Sequence, residues 1–263
     1  MNTDPSELLR HGDLAGARRA LVEIVKSQPN DAQARMFLFQ LLALLGEWDK
    51  ARLQLNTLAQ LSPEAQMLSV AYGQAIDAER ERAKAWAGVG PVKVHAADEG
   101  WPLALASAIG HLARGEVSEG EAARDAAFAE AGDTPGQVDG VEFEWIANSD
   151  SRLGPAFEAI IGGVWGIVPF DRVSSITSSG VRDLRDLVWY PVEIMFRSGQ
   201  SAAALLPARY PLTEAEGTDA ERLGRATSWE GGASGDQPSG QQLFMLSGGE
   251  EIGLLDLRNL TFT

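Results

Sequence analysis

The feature that most limits how this chain can fold is a spacing of 34 residues that recurs between Gly12 and Pro63. Gly12 and Gly46, Ala17 and Ala51, Arg18 and Arg52, Leu21 and Leu55, and Pro29 and Pro63 all pair at that offset. A period of about 34 marks tetratricopeptide helical hairpins, which stack because one hairpin cannot cover its own apolar face. The residue types suit that geometry: Gly in a hairpin turn, Ala where two helices press together, Pro where the next helix begins. Repeats of this kind hold partners on their extended surfaces.

The helical grammar can be followed from the first residues. Asp4-Pro5-Ser6-Glu7 reads as a helix start, with Asp4 as cap, Pro5 in the first turn and Glu7 reaching back to the cap. That helix stops at Gly12, and Leu14, Ala17, Leu21, Ile24 and Val25 give the next one an apolar face. A second hairpin is expected over residues 31–45 and 48–61, with Trp48 standing where Leu14 stood one period earlier. Ser62-Pro63-Glu64 then opens a third helix, to about residue 87, containing Tyr72, Gly73 and Ile76. Phe39 occupies a position where these repeats favour a small residue, so a narrower groove is expected beside it. Gly88-Val89-Gly90-Pro91 breaks the period, and a further hairpin over 101–114 and 118–131 resumes out of register.

At Gly132-Asp133-Thr134-Pro135-Gly136 the grammar changes to short β-branched and aromatic runs between Gly, Pro and Ser. The chain therefore divides into a helical-repeat domain, residues 1–132, and a small β-rich domain, residues 133–263, an α+β architecture. Strands are expected at 143–147, 156–161, 164–168, 188–196, 202–206, 243–246 and 252–257, forming a curled antiparallel sheet or partly open barrel. Gly162-Gly163 reads as a two-residue hairpin turn and Arg197-Ser198-Gly199-Gln200 as a longer one. Residues 181–186 suggest a helical turn. Ser174 to Gly180 reads as a capped loop, and Gly231 to Gly240 as a mobile one.

Charge and composition narrow the function. A net charge of −15 disfavours nucleic acid and anionic membrane as partners, which select clustered Lys and Arg. Without cysteine there is no disulfide frame, thiol nucleophile or thiolate metal site. The longest apolar run, Met36 to Leu45, contains Gln40 and falls short of the roughly 20 residues that span a bilayer. Met1-Asn2-Thr3-Asp4 has neither the basic flank nor the apolar core of a signal, so a cytoplasmic location is expected.

Catalytic signatures are weak. His11, His95 and His111 are scattered and read as exposed or capping imidazoles, with no metal-binding spacing. Gly162 to Gly166 and Gly231 to Gly235 do not continue into a phosphate-binding Gly-Lys-Ser/Thr, and the hydroxyls of Ser174 to Ser179 have no adjacent base. No metal or cofactor is expected. The one acid–base arrangement worth weighing is Glu142 and Glu144 on one face of a strand with Asp150 nearby, which would suit a hydrolase. A solvated strand face explains the same residues. Asp150 with Arg152, and Asp183 and Asp186 with Arg182 and Arg185, read as charge partners that fix loops.

The back half carries a specific series: Asp150-Ser151-Arg152-Leu153-Gly154-Pro155, Val168-Pro169-Phe170, Leu184-Arg185-Asp186-Leu187-Val188-Trp189 and Leu206-Pro207-Ala208-Arg209-Tyr210-Pro211. Leu223-Gly224-Arg225 and Leu254-Leu255-Asp256-Leu257-Arg258 follow. In that order, behind tetratricopeptide-like repeats, this resembles the ImpE family, also called TagJ, accessory proteins of the bacterial type VI secretion system. The resemblance implies a cytoplasmic adaptor without catalysis that binds a helical segment near the N-terminus of the small sheath subunit. It also implies a link to the AAA+ ATPase that recycles the sheath. Asp150, Arg152, Gly154, Pro155, Pro169, Arg185, Asp186, Trp189, Arg209 and Tyr210 enter as family-motif positions, with Trp189 and Pro169 expected in the core.

Helical hairpins offer a groove into which a partner helix can lay its apolar stripe, and an acidic rim would favour a basic one. Phe37, Gln40, Leu41, Tyr72 and Ile76 are the candidate groove residues, Tyr72 foremost. The rival readings are the hydrolase and a scaffold that dimerises through an exposed sheet edge.

Overall fold

The computed structural model describes residues 4–232 and 235–263. Its front is helical: α1 (Pro5–Arg10), α2 (Leu14–Ser27), α3 (Ala32–Leu44), α4 (Trp48–Leu61), α5 (Pro63–Trp86), α6 (Trp101–Ala113) and α7 (Val117–Ala131). Asp13 and Asp31 cap α2 and α3 by accepting the N–H groups of Gly16 at 2.7 Å and Ala34 at 2.9 Å. Asp4 caps α1 through Ser6, but Glu7 does not reach back; its carboxylate pairs with Arg10, one turn on. The 34-residue period acquires a physical meaning. Gly12 and Gly46 turn with φ of +80° and +67°, where a side chain would be strained. Ala17, Ala51, Leu21 and Leu55 are buried between helices. Arg18 pairs with Glu47, and Arg52 pairs with Asp77 at 2.5 Å and donates to the Gly73 carbonyl, so equivalent arginines each clip their hairpin to the next.

The back half contributes β1 (Gly136–Val138), β2 (Val141–Phe143), β3 (Ile146–Asn148), β4 (Ala156–Ile161), β5 (Val164–Pro169), β6 (Val173–Thr177), β7 (Trp189–Phe196) and β8 (Ser201–Pro207). Short α8 (Thr213–Glu216) and α9 (Asp219–Arg222) follow, then β9 (Thr227–Gly232), β10 (Gly235–Gly240), β11 (Leu243–Leu246), β12 (Glu251–Gly253) and β13 (Asn259–Phe262). An eight-stranded antiparallel sheet runs β2-β1-β13-β6-β7-β8-β4-β5, a smaller sheet runs β12-β11-β3, and β9 with β10 makes a separate ribbon. The large sheet is open. The β5 end is covered by a strap in which the Ile167 N–H bonds the Lys93 carbonyl and the His95 N–H bonds the Ile167 carbonyl.

Several elements differ from the sequence reading, each for a local reason. The strand expected at 143–147 is broken, because Glu144 and Trp145 form the corner where the chain passes from the large sheet to the small one. There the Glu144 N–H bonds the Ser247 hydroxyl and the Ser247 N–H bonds the Trp145 carbonyl. The strand expected at 252–257 stops at Gly253 and becomes a 3-10 turn over Leu254–Asp256, since neighbouring Leu254 and Leu255 are both buried, which an alternating strand does not allow. The first half of Ser174 to Gly180, read as a capped loop for its hydroxyls, belongs to strand Val173–Thr177, with Val173 and Ile176 buried in the core. Residues 231–240, read as a mobile loop, form most of the ribbon, with 233 and 234 outside the described residues.

The helical and β-rich portions share one hydrophobic core. Leu38, Phe39, Leu41 and Ile76 of the repeats pack in the same cluster as Ile160, Trp165, Val188, Trp189 and Leu223. A second core, with Phe157, Phe170 and Phe244, lies between the two sheets, and a third seats α6 and α7 on Leu153, Ala156 and Ile167.

Candidate functional site

The junction between repeats and sheet is held by a buried polar network built on α5. Arg82, 5% exposed, donates from Nε and Nη2 to both oxygens of Glu158 at 2.7 Å each. Its Nη2 also donates to the Arg209 carbonyl at 2.8 Å and its Nη1 to Glu79 at 3.3 Å. Trp86 and Trp165 donate their indole N–H groups to Glu158, Gln242 donates to it at 2.8 Å, and Trp189 donates to Glu79. Burial alone would raise the Glu158 carboxyl, but the charge and hydrogen bonds of Arg82 outweigh it and hold it below the usual carboxylate range. Glu79 is raised by its burial, with Arg82 opposing. Arg209 is lowered to about 10 by burial; it donates to the carbonyls of Leu44 at 2.8 Å and Arg222 at 3.1 Å. This network was not anticipated from sequence, although a lone Glu158 inside the apolar strand Ala156–Ile161 was a visible signal.

The face of the repeats expected to receive a partner is covered by the chain itself. Leu41 and Ile76 are fully buried and offer no outer surface. Gln40 is buried, and its amide oxygen accepts the Leu184 N–H at 3.1 Å. Phe37 is half-buried against the shared core. The 3-10 turn Leu184–Leu187 and Trp189 fill this face. Tyr72, half-buried, packs edge-on against Phe39 at 5.8 Å and at a tilt against Trp189 at 5.5 Å, with the Arg185 guanidinium 4.9 Å over its ring. Burial raises its hydroxyl.

Most family-motif residues serve the same junction. Arg185 pairs with Asp183, whereas Asp186 accepts the backbone N–H groups of Arg182 and Asp183 rather than an arginine side chain. Trp189 is buried and lies 5.9 Å from Trp48. Asp150, wholly buried, is held bidentately by Arg152, whose guanidinium lies 4.5 Å over Trp86 at the end of α5. Gly154 has φ of +47°, and a Cβ there would stand 2.2 Å from the Phe128 ring on α7. The Pro155 carbonyl accepts the Phe170 N–H, and Pro169 is buried at the end of β5. Tyr210 is buried; its hydroxyl accepts the Leu243 N–H and is pushed up by burial.

Open apolar surface remains on the other side of α5. Met67 is 80% exposed and Val70 63%, and with Ala71 and Gln74 they form one helical face. That face runs into a groove of about 310 Å³ bounded by Ala71, Tyr72, Ile160, Val192 and Leu205. Tyr72 thus backs onto the repeats and fronts the groove.

The polar groups weighed for catalysis do not converge in this way. Glu142 and Glu144 are exposed, while both oxygens of Asp150 are engaged by Arg152. His95 is neither exposed nor capping: it packs beside Gly166 in the strap, and burial lowers its imidazole. Among the described residues, no group of three His, Asp or Glu is placed to hold a metal, and no helix is long and apolar enough to cross a membrane.

Tetratricopeptide-like hairpins joined through a common core to antiparallel sheet define the class: an α+β repeat protein with an ion-paired junction. The tetratricopeptide repeat model matches residues 8–75, and the model for ImpE protein matches residues 140–261. Over 257 residues the chain is 41% identical to the type VI secretion system accessory component TagJ of Pseudomonas aeruginosa, covering 97% of this chain and 90% of that one. This chain belongs to the ImpE family. The crystal structure of protein VPA1032 from Vibrio parahaemolyticus has the same fold, with a TM-score of 0.87, 21% identity and coverage of 99% and 98%.

Proposed function

We propose that this chain is a non-catalytic cytoplasmic adaptor of type VI secretion that holds the helical N-terminal segment of the small sheath subunit. Through that grip it is linked to the AAA+ ATPase that recycles the sheath. The observation that carries the reading is the uncovered face Met67-Val70-Ala71 beside the Tyr72 groove, a strip with the spacing of a helix-binding surface. Two large apolar side chains this exposed on one face of the helix support an interaction site there. The chain's −15 charge favours a basic amphipathic helix over nucleic acid or an anionic membrane.

The test is a titration of the purified chain into a labelled peptide of that N-terminal segment. Saturable binding is expected. Val70→Glu removes a contact of roughly 1.5–3 kcal/mol and should weaken binding about tenfold or more. No binding by the unaltered chain, or equal binding by Val70→Glu, would overturn the proposal.

A further inference from the structure

The β9–β10 ribbon belongs to neither larger sheet, and residues 228–232 of β9 are all exposed. Its two outer edges differ chemically. Next to Gly240, the Gln241 N–H bonds the Ala226 carbonyl, whereas the Gly240 N–H points outward to the Thr213 hydroxyl and its carbonyl outward to the Tyr210 N–H. Because antiparallel pairs alternate, Gly240↔Thr227, Pro238↔Trp229 and Asp236↔Gly231 are the pairs that do not exchange bonds across the ribbon. The N–H and C=O groups of Trp229 and Gly231 therefore face away from β10. Among the described residues, no other backbone group accepts or supplies those bonds. The outer edge of β10 is the poorer template: Asp236 alone keeps both groups facing outward, Pro238 has no N–H to offer, and the chain at and next to Gly240 is paired with Tyr210 and Ala208. Beside the open edge stands Trp229, 38% exposed and 5.8 Å from Tyr210.

We infer that β9 is a second protein-docking edge, which takes an extended, basic segment of a partner as an added strand. The ribbon carries Glu230 and Asp236, both exposed, and α8 beside it carries exposed Glu216 and half-buried Glu214, while Arg222, the nearby arginine, is already bonded to Asp219 and to the Glu214 and Ala215 carbonyls. Charge therefore selects a cationic segment, the two outward backbone positions bind it without regard to side chain, and Trp229 takes an apolar residue. A second copy of this chain, with its own −15 charge, is disfavoured on the same ground. This edge is separate from the α5 surface, so the chain could hold two partners at once.

The probe is an eight-residue peptide of alternating Lys and Val, with an alternating Glu and Val peptide as control, each labelled and read by fluorescence anisotropy as the full chain is added. Binding of the Lys peptide, weakening with salt, is expected; failure to bind, or equal binding of the Glu peptide, overturns the proposal. Gly231→Ala has room, since a Cβ there meets nothing nearer than Asp236 at 4.0 Å, and it keeps the outward N–H. Gly231→Pro deletes that donor while sparing the bonds within the ribbon. Gly231→Pro should bind about tenfold more weakly or worse, with Gly231→Ala unchanged, because the peptide carbonyl is left unpaired. Equal binding by both variants would overturn the edge assignment, as would concentration-dependent dimerisation in sedimentation that Gly231→Pro abolishes, which would make the occupant a second copy.

Discussion

Replacing Arg82 by Met should be among the most damaging single changes in the chain. The guanidinium makes two 2.7 Å bonds to Glu158, one of 2.8 Å to the Arg209 carbonyl and one of 3.3 Å to Glu79. Met fills much of the stem volume but leaves Glu158, 2% exposed, and Glu79, 6% exposed, without a direct counter-charge. Stranding a buried ion in this way costs about 3–5 kcal/mol. At about 2–4 °C per kcal/mol for a chain of this size, the melting midpoint should fall by roughly 6–20 °C. Calorimetry gives the midpoint. Urea titration followed both by far-UV circular dichroism and by fluorescence of Trp86, Trp165 and Trp189, which ring the network, shows whether repeats and sheet unfold together. The shared core requires the two curves to coincide. Since much of the loss comes from the stranded charge, adding Glu158→Leu to Arg82→Met should cost less than the sum of the single changes by at least about 1 kcal/mol. A loss below about 1 kcal/mol for Arg82→Met, or strict additivity in the double variant, would refute the reasoning.

Other consequences can be measured on the same footing. Gly154→Ala forces a non-glycine residue to φ of +47° and drives a methyl into Phe128, so it should cost about 2–5 kcal/mol in urea unfolding, part of it recovered by adding Phe128→Ala. Glu79→Gln tests the raised carboxyl. A raised folded value means the acid form adds stability at low pH that is lost as pH rises, so the amide should compare better with the unaltered chain at about pH 8 than at about pH 5. Equal differences at both values would count against it. A fragment of residues 1–132 lacks Ile160, Trp165 and Trp189 from the core it shares with the sheet, so it should bind a hydrophobic dye and melt without cooperativity. A sharp transition in that fragment would show the repeats to be self-sufficient.

How far the sequence could be read depended on whether its signals were local. The hairpins were legible because Gly12, Gly46 and the alanines repeat at a fixed interval and act within their own turns. The Gly162-Gly163 turn was legible for the same reason: φ of +58° and +78° suits glycine and little else. The junction was not, since Arg82 meets Glu158 from 76 residues away and no local pattern announces that meeting. Tyr72 could be placed on the repeats' inner helices from the period, but not the fact that Trp189 covers its inner side. Strand β6 hid behind its hydroxyls, and the ribbon behind its Gly and Ser content, because backbone pairing rather than side-chain pattern holds both.

The central claim, that the chain works by gripping a partner helix with the outer face of α5, is tested most directly by hydrogen exchange of the full chain with and without the small sheath subunit's N-terminal peptide. Slowed exchange should concentrate in the first half of α5 around Val70 and in the strands bordering the Tyr72 groove, and should vanish with Val70→Glu. Slowing confined to α6 and α7, with α5 unchanged in a saturated complex, would contradict the account.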